Sequence, residues 1–390
     1  MTRPLAVVGA ASSIGIRPYD DGEVRQLSRA PDVLRERGLI QRLEAADLGD
    51  VLAPPYRDYV RPPSRARNEE EVVVYSRSLA QRVAAATAHG QFGVVLGGDC
   101  SIVLGCLVGA KRTARGKVGL VYVDAHADFA TPDESRTGSV ASMSLALASG
   151  RGESPLSRLS GRTPLVEGKH IALVGRRDAG QGWYGHGALA ASAILDLPDA
   201  ELLAHDVGEL VAALLRRVTA DDLEGFWIQL DADVLNPAVM SAVDSPEPGG
   251  LMPSELVQLL APLVRHPLAL GLSLTTYDPA FLRYDEAWTE NGLSVTLDDD
   301  WTQTCVVAST ASSCATGAVK LGTTTHTYTV LDVDDELTVP AGTFRSVKIQ
   351  RDNVSDPETK LFWFAAGVGK IREENPSTGA VSELTAYEIP

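Results

Sequence analysis

The stretch "GLVYVDAHADF", residues 119–129, decides the fold. Leu120 to Val123 form a short apolar run with the length and branched side chains of a buried strand. Directly after it, Asp124, His126 and Asp128 stand at every second position. A core strand that finishes in two carboxylates and an imidazole delivers those side chains to one place.

Outward from this strand the same texture repeats. "LAVVGA" (5–10), "FGVVLGGD" (92–99), "HIALVGRRD" (170–178), "GFWIQLDADVL" (225–235) and "ALGLSLTTYD" (269–278) read as further strands. Between them, "EEEVVVYSRSLAQRVAAATAHG" (69–90) has an acidic start, apolar positions at helical spacing and a closing Gly, the marks of a crossover helix. "SELVQLLAPLVRH" (254–266) reads as another, with Ser254 as its expected N-cap. Strands alternating with helices predict a parallel sheet covered by helices. After "LRYDEAWTENG" (282–292) helical periodicity stops, and Thr, Ser, Val and Gly dominate to the end. Two domains are expected, 1–288 and 289–390, with the boundary near Trp288 and the second an antiparallel all-β unit of short strands.

In parallel sheets, sites assemble at the carboxyl ends of the strands. Three such ends are rich here: "LGGDCS" with Asp99 and Cys100, "VDAHADF" with Asp124, His126 and Asp128, and "IQLDADVLNP" with Asp231 and Asp233. Carboxylates gathered in one place repel one another unless a cation neutralises them, because burying unpaired charge costs several kcal/mol per ion. Oxygen ligands with one imidazole favour hard to borderline ions such as Mn(II). Four Asp and one His are enough for two ions with shared carboxylates, and a pair about 3.5 to 4 Å apart activates water for hydrolysis.

"GGDCS", "DAHAD", "DADVLNP" and "SPEPGGL", in this order and at these intervals, resemble the arginase, agmatinase and formiminoglutamase family of ureohydrolases over residues 1–287. The resemblance implies a three-layer α/β/α fold with a parallel sheet, a binuclear manganese centre, hydrolysis of linear amidine or guanidino carbon–nitrogen bonds, and a homo-oligomer. It further implies that Asp124 and Asp231 bridge both metals, that His126 and Asp233 complete one site, and that Cys100 and Asp128 complete the other. In this reading Asp128 is also the catalytic acceptor of a hydrogen bond from the bridging hydroxide. The C-terminal part, with "LTVPAGTF", "WFAAGVGKI" and "ELTAY", resembles β-rich modules of bacterial lipoproteins, which implies no chemistry.

The chain departs from the family pattern at several positions. Cys100 stands where the family usually has His. A thiolate is a softer ligand and must lose its proton, so the second site is expected to be weaker for Mn(II) or to select another ion, and a single ion is an alternative. Cys100 as a small core filler also stays open. The family's "HGM" corresponds to Ala141, Ser142 and Met143; the acid that grips a guanidinium falls near Thr276; and no acid lies between Ala179 and Trp183. Arginine is therefore not the expected substrate. Asp244, Asp278 and "TPDESRTG" (131–138) hold acids that could compensate.

Other readings of these residues are weaker. A Cys100 or Ser101 nucleophile lacks a base nearby in sequence. "GGDCS" has neither the spacing nor the Lys of a phosphate loop. His186, in a Gly-rich loop, reads as a solvated side chain before it reads as an acid or base. "LDVDDELTV" (331–339) has its glycine and terminal Glu misplaced for a calcium loop and reads as a charged β-turn.

The net charge of −16 argues against nucleic acid as a partner. A small-molecule substrate is expected instead. No window reaches the roughly 18 apolar residues of a membrane span, and the N-terminus lacks a signal-peptide pattern, so a cytoplasmic location is expected. Four cysteines make no disulfide scaffold, and a Cys305–Cys314 pair would require an oxidising compartment. The function expected is a metal-dependent hydrolase of carbon–nitrogen bonds in an amidine, guanidino or amide substrate. The alternative is a catalytically silent relative that binds metal or ligand.

Overall fold

The structure is a computed structural model that describes residues 3–19, 22, 24–180, 185–202, 204–280, 300–307, 322–353, 359–365 and 368–385. The chain divides into two compact units, Met1–Phe281 and Leu282–Pro390. The expected boundary near Trp288 and the question of a Cys305–Cys314 pair fall outside the described residues and side chains.

The first unit is built on eight parallel strands: β1 Leu5–Ala11, β2 Ala46–Leu52, β3 Phe92–Leu96, β4 Gly119–Val123, β5 Ile171–Val174, β6 Leu195–Leu197, β7 Phe226–Asp231 and β8 Ala269–Thr275. Their order across the sheet is β2-β1-β3-β8-β7-β4-β5-β6. The sequence pattern anticipates the six inner strands and misses the outer two. β2 is an edge strand whose residues are mostly exposed or half-buried, and β6 is three residues long, so neither carries an apolar run.

β4 shows why the unit has three layers. Its residues are all buried, and neighbours along it go to opposite faces: Leu120 and Tyr122 join one apolar core, Val121 and Val123 the other. The first core is closed by helices α1 (Glu69–Ala86) and α2 (Ile102–Ala114), through Val72, Leu79, Val83, Leu104 and Leu107. The second is closed by α3 (Val207–Val218) and α4 (Pro253–Arg265), through Leu210, Leu214, Leu256, Leu259 and Leu263. α4 starts two residues earlier than expected. Met252 is its N-cap, Pro253 occupies the first turn, and the Met252 N–H donates to Glu255 Oε2 at 2.8 Å, so Ser254 lies inside the helix.

The second unit is an antiparallel sheet in the order β14-β13-β12-β11-β10-β9, formed by β9 Asp300–Val307, β10 Gly322–Val339, β11 Gly342–Asn353, β12 Thr359–Ala365, β13 Gly369–Asn375 and β14 Ala380–Glu383. "LDVDDELTV" is not a turn: it lies inside β10, where the register against β11 shifts after Val330 and again after Asp332. Within this stretch Asp335 accepts a hydrogen bond from Trp363 Nε1 at 2.6 Å. Among the described residues no helix is long and apolar enough to cross a membrane.

Candidate metal centre

The strand order brings the rich ends together. β3, β8, β7 and β4 are consecutive neighbours, so Cys100 after β3, Thr275 and Thr276 at the end of β8, Asp231 and Asp233 at β7, and Asp124, His126 and Asp128 after β4 converge at one edge of the sheet. Each connection is shaped by its backbone. Gly97 and Gly98 turn the chain out of β3 with φ of +83° and +89°, conformations that suit glycine; a Cβ on Gly98 would also meet Ala10 O at 2.8 Å. Asp99 then accepts from Gly15 N–H and Ser101 N–H, each at 3.0 Å, which fixes the loop and presents Cys100.

All six expected site residues are brought together and are buried. His126 Nδ1 lies 2.8 Å from Asp233 Oδ2 and 3.6 Å from Asp124 Oδ1. Cys100 Sγ donates to Asp231 Oδ2 at 3.0 Å. Two groups of ligand atoms lie within 4.8 Å of one another: Cys100, Asp124 and Asp128 form one, Asp124, His126 and Asp233 the other. Asp124 is common to both, and its Oδ2 is buried without a hydrogen-bond partner. Asp231 stands beside both groups. Its Oδ1 accepts from Asp233 N–H at 2.9 Å and from the Thr276 hydroxyl, and its Oδ2 accepts from Thr275 at 3.1 Å as well as from Cys100. Asp128, in the left-handed region at φ 46°, is anchored by Tyr122 Oη, which donates to its Oδ2 at 2.6 Å.

This donor set suits divalent cations. Among the described residues no Lys or Arg side chain pairs with the carboxylates of Asp124, Asp128, Asp231 or Asp233; the imidazole of His126 lies against them, and the Arg177 guanidinium meets the main-chain carbonyl of Asp233. Adjacent donors around a six-coordinate ion with bonds of about 2.1 Å stand about 3 Å apart, close to the spacings between His126 and Asp233 and between Cys100 and Asp231. The protonation balance reflects the crowding. Burial, followed by the charges of Asp231, Asp233 and Asp128, pushes the Asp124 carboxyl well above its usual range, and burial with Asp233 does the same to Asp231. Asp128 is pushed up to about 7, chiefly by burial. Burial also acts on Asp233, but the imidazole beside it outweighs that effect and holds its carboxyl below the ordinary value.

The sequence reading missed several supporting residues. Thr275 and Thr276 hold Asp231, and only the pairing of β7 with β8 puts them there. Arg177 donates to Asp233 O at 2.8 Å, Val234 O at 3.1 Å and Glu247 O at 3.3 Å, tying the turn after β7 that carries Asp233 to the "SPEPGG" loop. That loop sets Glu247 Oε1 3.7 Å from His126 Nε2, a carboxylate facing the ring nitrogen opposite the one beside Asp233. "SPEPGGL" was legible as a motif, but nothing in it pointed to His126.

Three of the acids offered as replacements for a guanidinium grip are committed elsewhere, and Asp133 is exposed. Asp244 pairs with Arg25; Asp278 accepts from Gln26 N–H at 3.1 Å, Ala280 N–H at 2.9 Å and Tyr19 Oη at 3.2 Å; and Glu134 is held by Arg151 at 2.7 Å. Ala141 is buried, with its N–H on Gly15 O at 3.0 Å. His186 Nε2 lies 3.0 Å from the Asp178 carbonyl, so the ring is held by backbone.

The family described as "Arginase family" matches residues 14–297. An arginase of Bacillus caldovelox is 30% identical over 257 residues, covering 64% of this chain and 82% of that protein. Human arginase-1 is 27% identical over 290 residues, covering 72% and 86%. The solved structure of the B. caldovelox arginase superposes with a TM-score of 0.63 at 26% identity, covering 72% of this chain and 92% of that one. The family match ends before the strands of the C-terminal sheet, the first of which begins at Asp300.

Proposed function

Because the chain belongs to the arginase family, we propose that it is a metal-dependent hydrolase that cleaves a carbon–nitrogen bond of a linear amidine, guanidino or amide compound other than arginine. The observation that carries this reading is the convergence of four buried aspartates, one imidazole and one thiol at one edge of the sheet, with no Lys or Arg side chain paired to those carboxylates among the described residues. In this reading Asp124, His126, Asp233, Asp231, Cys100 and Asp128 hold two divalent ions. Bound there, such ions polarise the substrate and lower the pKa of water.

The protein's own groups divide the remaining work. Tyr122 fixes Asp128 through Oδ2, so this carboxyl is positioned to take a proton from the attacking water and return it to the departing nitrogen. Thr275 and Thr276 keep Asp231 oriented, and Arg177 keeps Asp233 and the Glu247 loop in place. The exclusion of arginine rests on Ala141 and Thr276, where an imidazole and a carboxylate would be needed, and on Asp244 and Asp278, which are already engaged.

The same two positions favour a second reading, a catalytically silent metal-binding protein. Chelator-stripped protein, reloaded with Mn(II) or Co(II), is assayed for urea, ammonia or amine release across guanidino, amidino and acylated amine compounds. Turnover of any one of them that disappears in Asp128→Asn and Asp231→Asn supports the hydrolase. Metal retention without turnover supports the silent reading, and protein that neither retains nor is stabilised by these ions refutes both.

A further inference from the structure

The two free cysteines among the described residues are both buried, but their surroundings differ in kind. Cys106, on α2, is part of the apolar core that packs against that helix. Cys100 belongs to neither of the cores that flank the parallel sheet. Its Sγ points at Asp231 Oδ2, 3.0 Å away, and lies in a group with Asp124 and Asp128. A thiol that merely fills space is packed like Cys106; one ringed by carboxylates is placed like a ligand. The second sign of an ion at the same spot is Asp124, which belongs to both ligand groups and whose Oδ2 is buried without a partner.

The two halves therefore offer different chemistry. One presents sulfur and two carboxylates, the other imidazole and two carboxylates. Thiolate selects softer or borderline ions, whereas carboxylate-rich sites accept Mn(II), the weakest binder of the first-row series. We propose that the centre is a mixed-metal one: the Cys100, Asp124 and Asp128 half takes a thiophilic divalent ion of the Zn(II), Co(II) or Fe(II) class, and the Asp124, His126 and Asp233 half takes a hard ion of the Mn(II) class. The inference rests on the reading of this cluster as a metal centre. Loading the sulfur half forms one metal–sulfur bond and releases the thiol proton to solvent, with no change of oxidation state.

Cobalt reports on sulfur directly, because a thiolate bound to Co(II) produces a near-ultraviolet charge-transfer band that oxygen and nitrogen ligands do not. The full-length protein, stripped with chelator, is titrated with Co(II) and separately with Mn(II), and bound metal is counted by elemental analysis. The expected result is one equivalent of Mn(II) retained after gel filtration against two of Co(II), with the band saturating at a single equivalent of cobalt. Cys106→Ser keeps the band. Cys100→Ser loses it, and Cys100→His loses it while retaining two equivalents of Mn(II). Two cobalt ions bound by the unmodified protein with no band would overturn this inference and leave the metal centre standing, as would two equally retained manganese ions. Failure to bind either metal would overturn the metal-centre reading and this inference with it.

Discussion

Asp128→Asn exchanges a buried carboxylate for a neutral group of the same shape, and its effect on stability should change sign with metal. Asp128 has its carboxyl pushed from 3.8 up to about 7, chiefly by burial. At roughly 1.4 kcal/mol for each tenfold change, ionising it in the metal-free folded protein costs about 4 kcal/mol. Because the folded value is raised, the stability associated with the protonated form is fully present below about pH 4 and is lost as pH rises through about 7. Asparagine does not ionise. It can still accept from Tyr122, while its amide N–H groups need acceptors that only partly exist, at a cost of about 1–3 kcal/mol. The chelated variant should therefore exceed the chelated wild type by roughly 1–3 kcal/mol at pH 8, and the advantage should vanish or reverse at pH 5, where the wild-type carboxyl holds its proton. With metal present the order inverts, because a cation is stabilised by the carboxylate and not by the amide. Urea unfolding with and without chelator, at both pH values, measures all four differences. A chelated variant less stable than wild type at pH 8, or an equal gain from metal in both proteins, would refute the electrostatic account.

Glu247→Gln should weaken metal binding by about 10- to 100-fold, the usual effect of removing a carboxylate that orients a ligating histidine, with unfolding of the chelated protein little changed; calorimetric titration with Co(II) checks this. Gly271→Ala should destabilise the first unit by about 1–3 kcal/mol, because the added Cβ would clash with Gly93 O on the paired strand and with the buried Trp227 ring; denaturant unfolding reads the difference. Glu134, held down to about 2 first by its hydrogen bonds to Arg151, contributes a partly exposed ion pair, so Glu134→Gln should cost under about 1 kcal/mol at pH 7. The wild-type carboxylate's contribution is present above its unfolded value and declines as pH falls toward 2, so the gap between the two proteins should narrow in unfolding curves taken near pH 3.

Much of the fold was legible because it depends on patterns local to each element. The six inner strands announce themselves as apolar runs, and α1 by its acidic start and 3.6-residue spacing. β2 and β6 were not legible, since an edge strand has one neighbour and needs no continuous apolar run. The start of α4 was misjudged for a related reason: Glu255 caps through the backbone of Met252, and a methionine carries no capping signal in its side chain. At the centre, the six expected ligands could be named because aspartate, histidine and cysteine declare their chemistry by type. Thr275, Thr276, Arg177 and Glu247 could not, because hydroxyl, guanidinium and carboxylate groups acquire these roles only from what they face.

By itself, the sequence determined that acids and an imidazole would terminate buried parallel strands, because alternation along a strand and the cost of burying charge are properties of short stretches of chain. Only the tertiary structure decided that the ends of β3, β8, β7 and β4 are adjacent, that Asp124 falls in both groups of candidate ligand atoms while Asp231 is tied up by Thr275 and Thr276, and that Asp244 and Asp278 are already engaged. Those outcomes depend on strand order, which is set by how helices far apart in sequence cover the two faces of the sheet, and no local pattern encodes it.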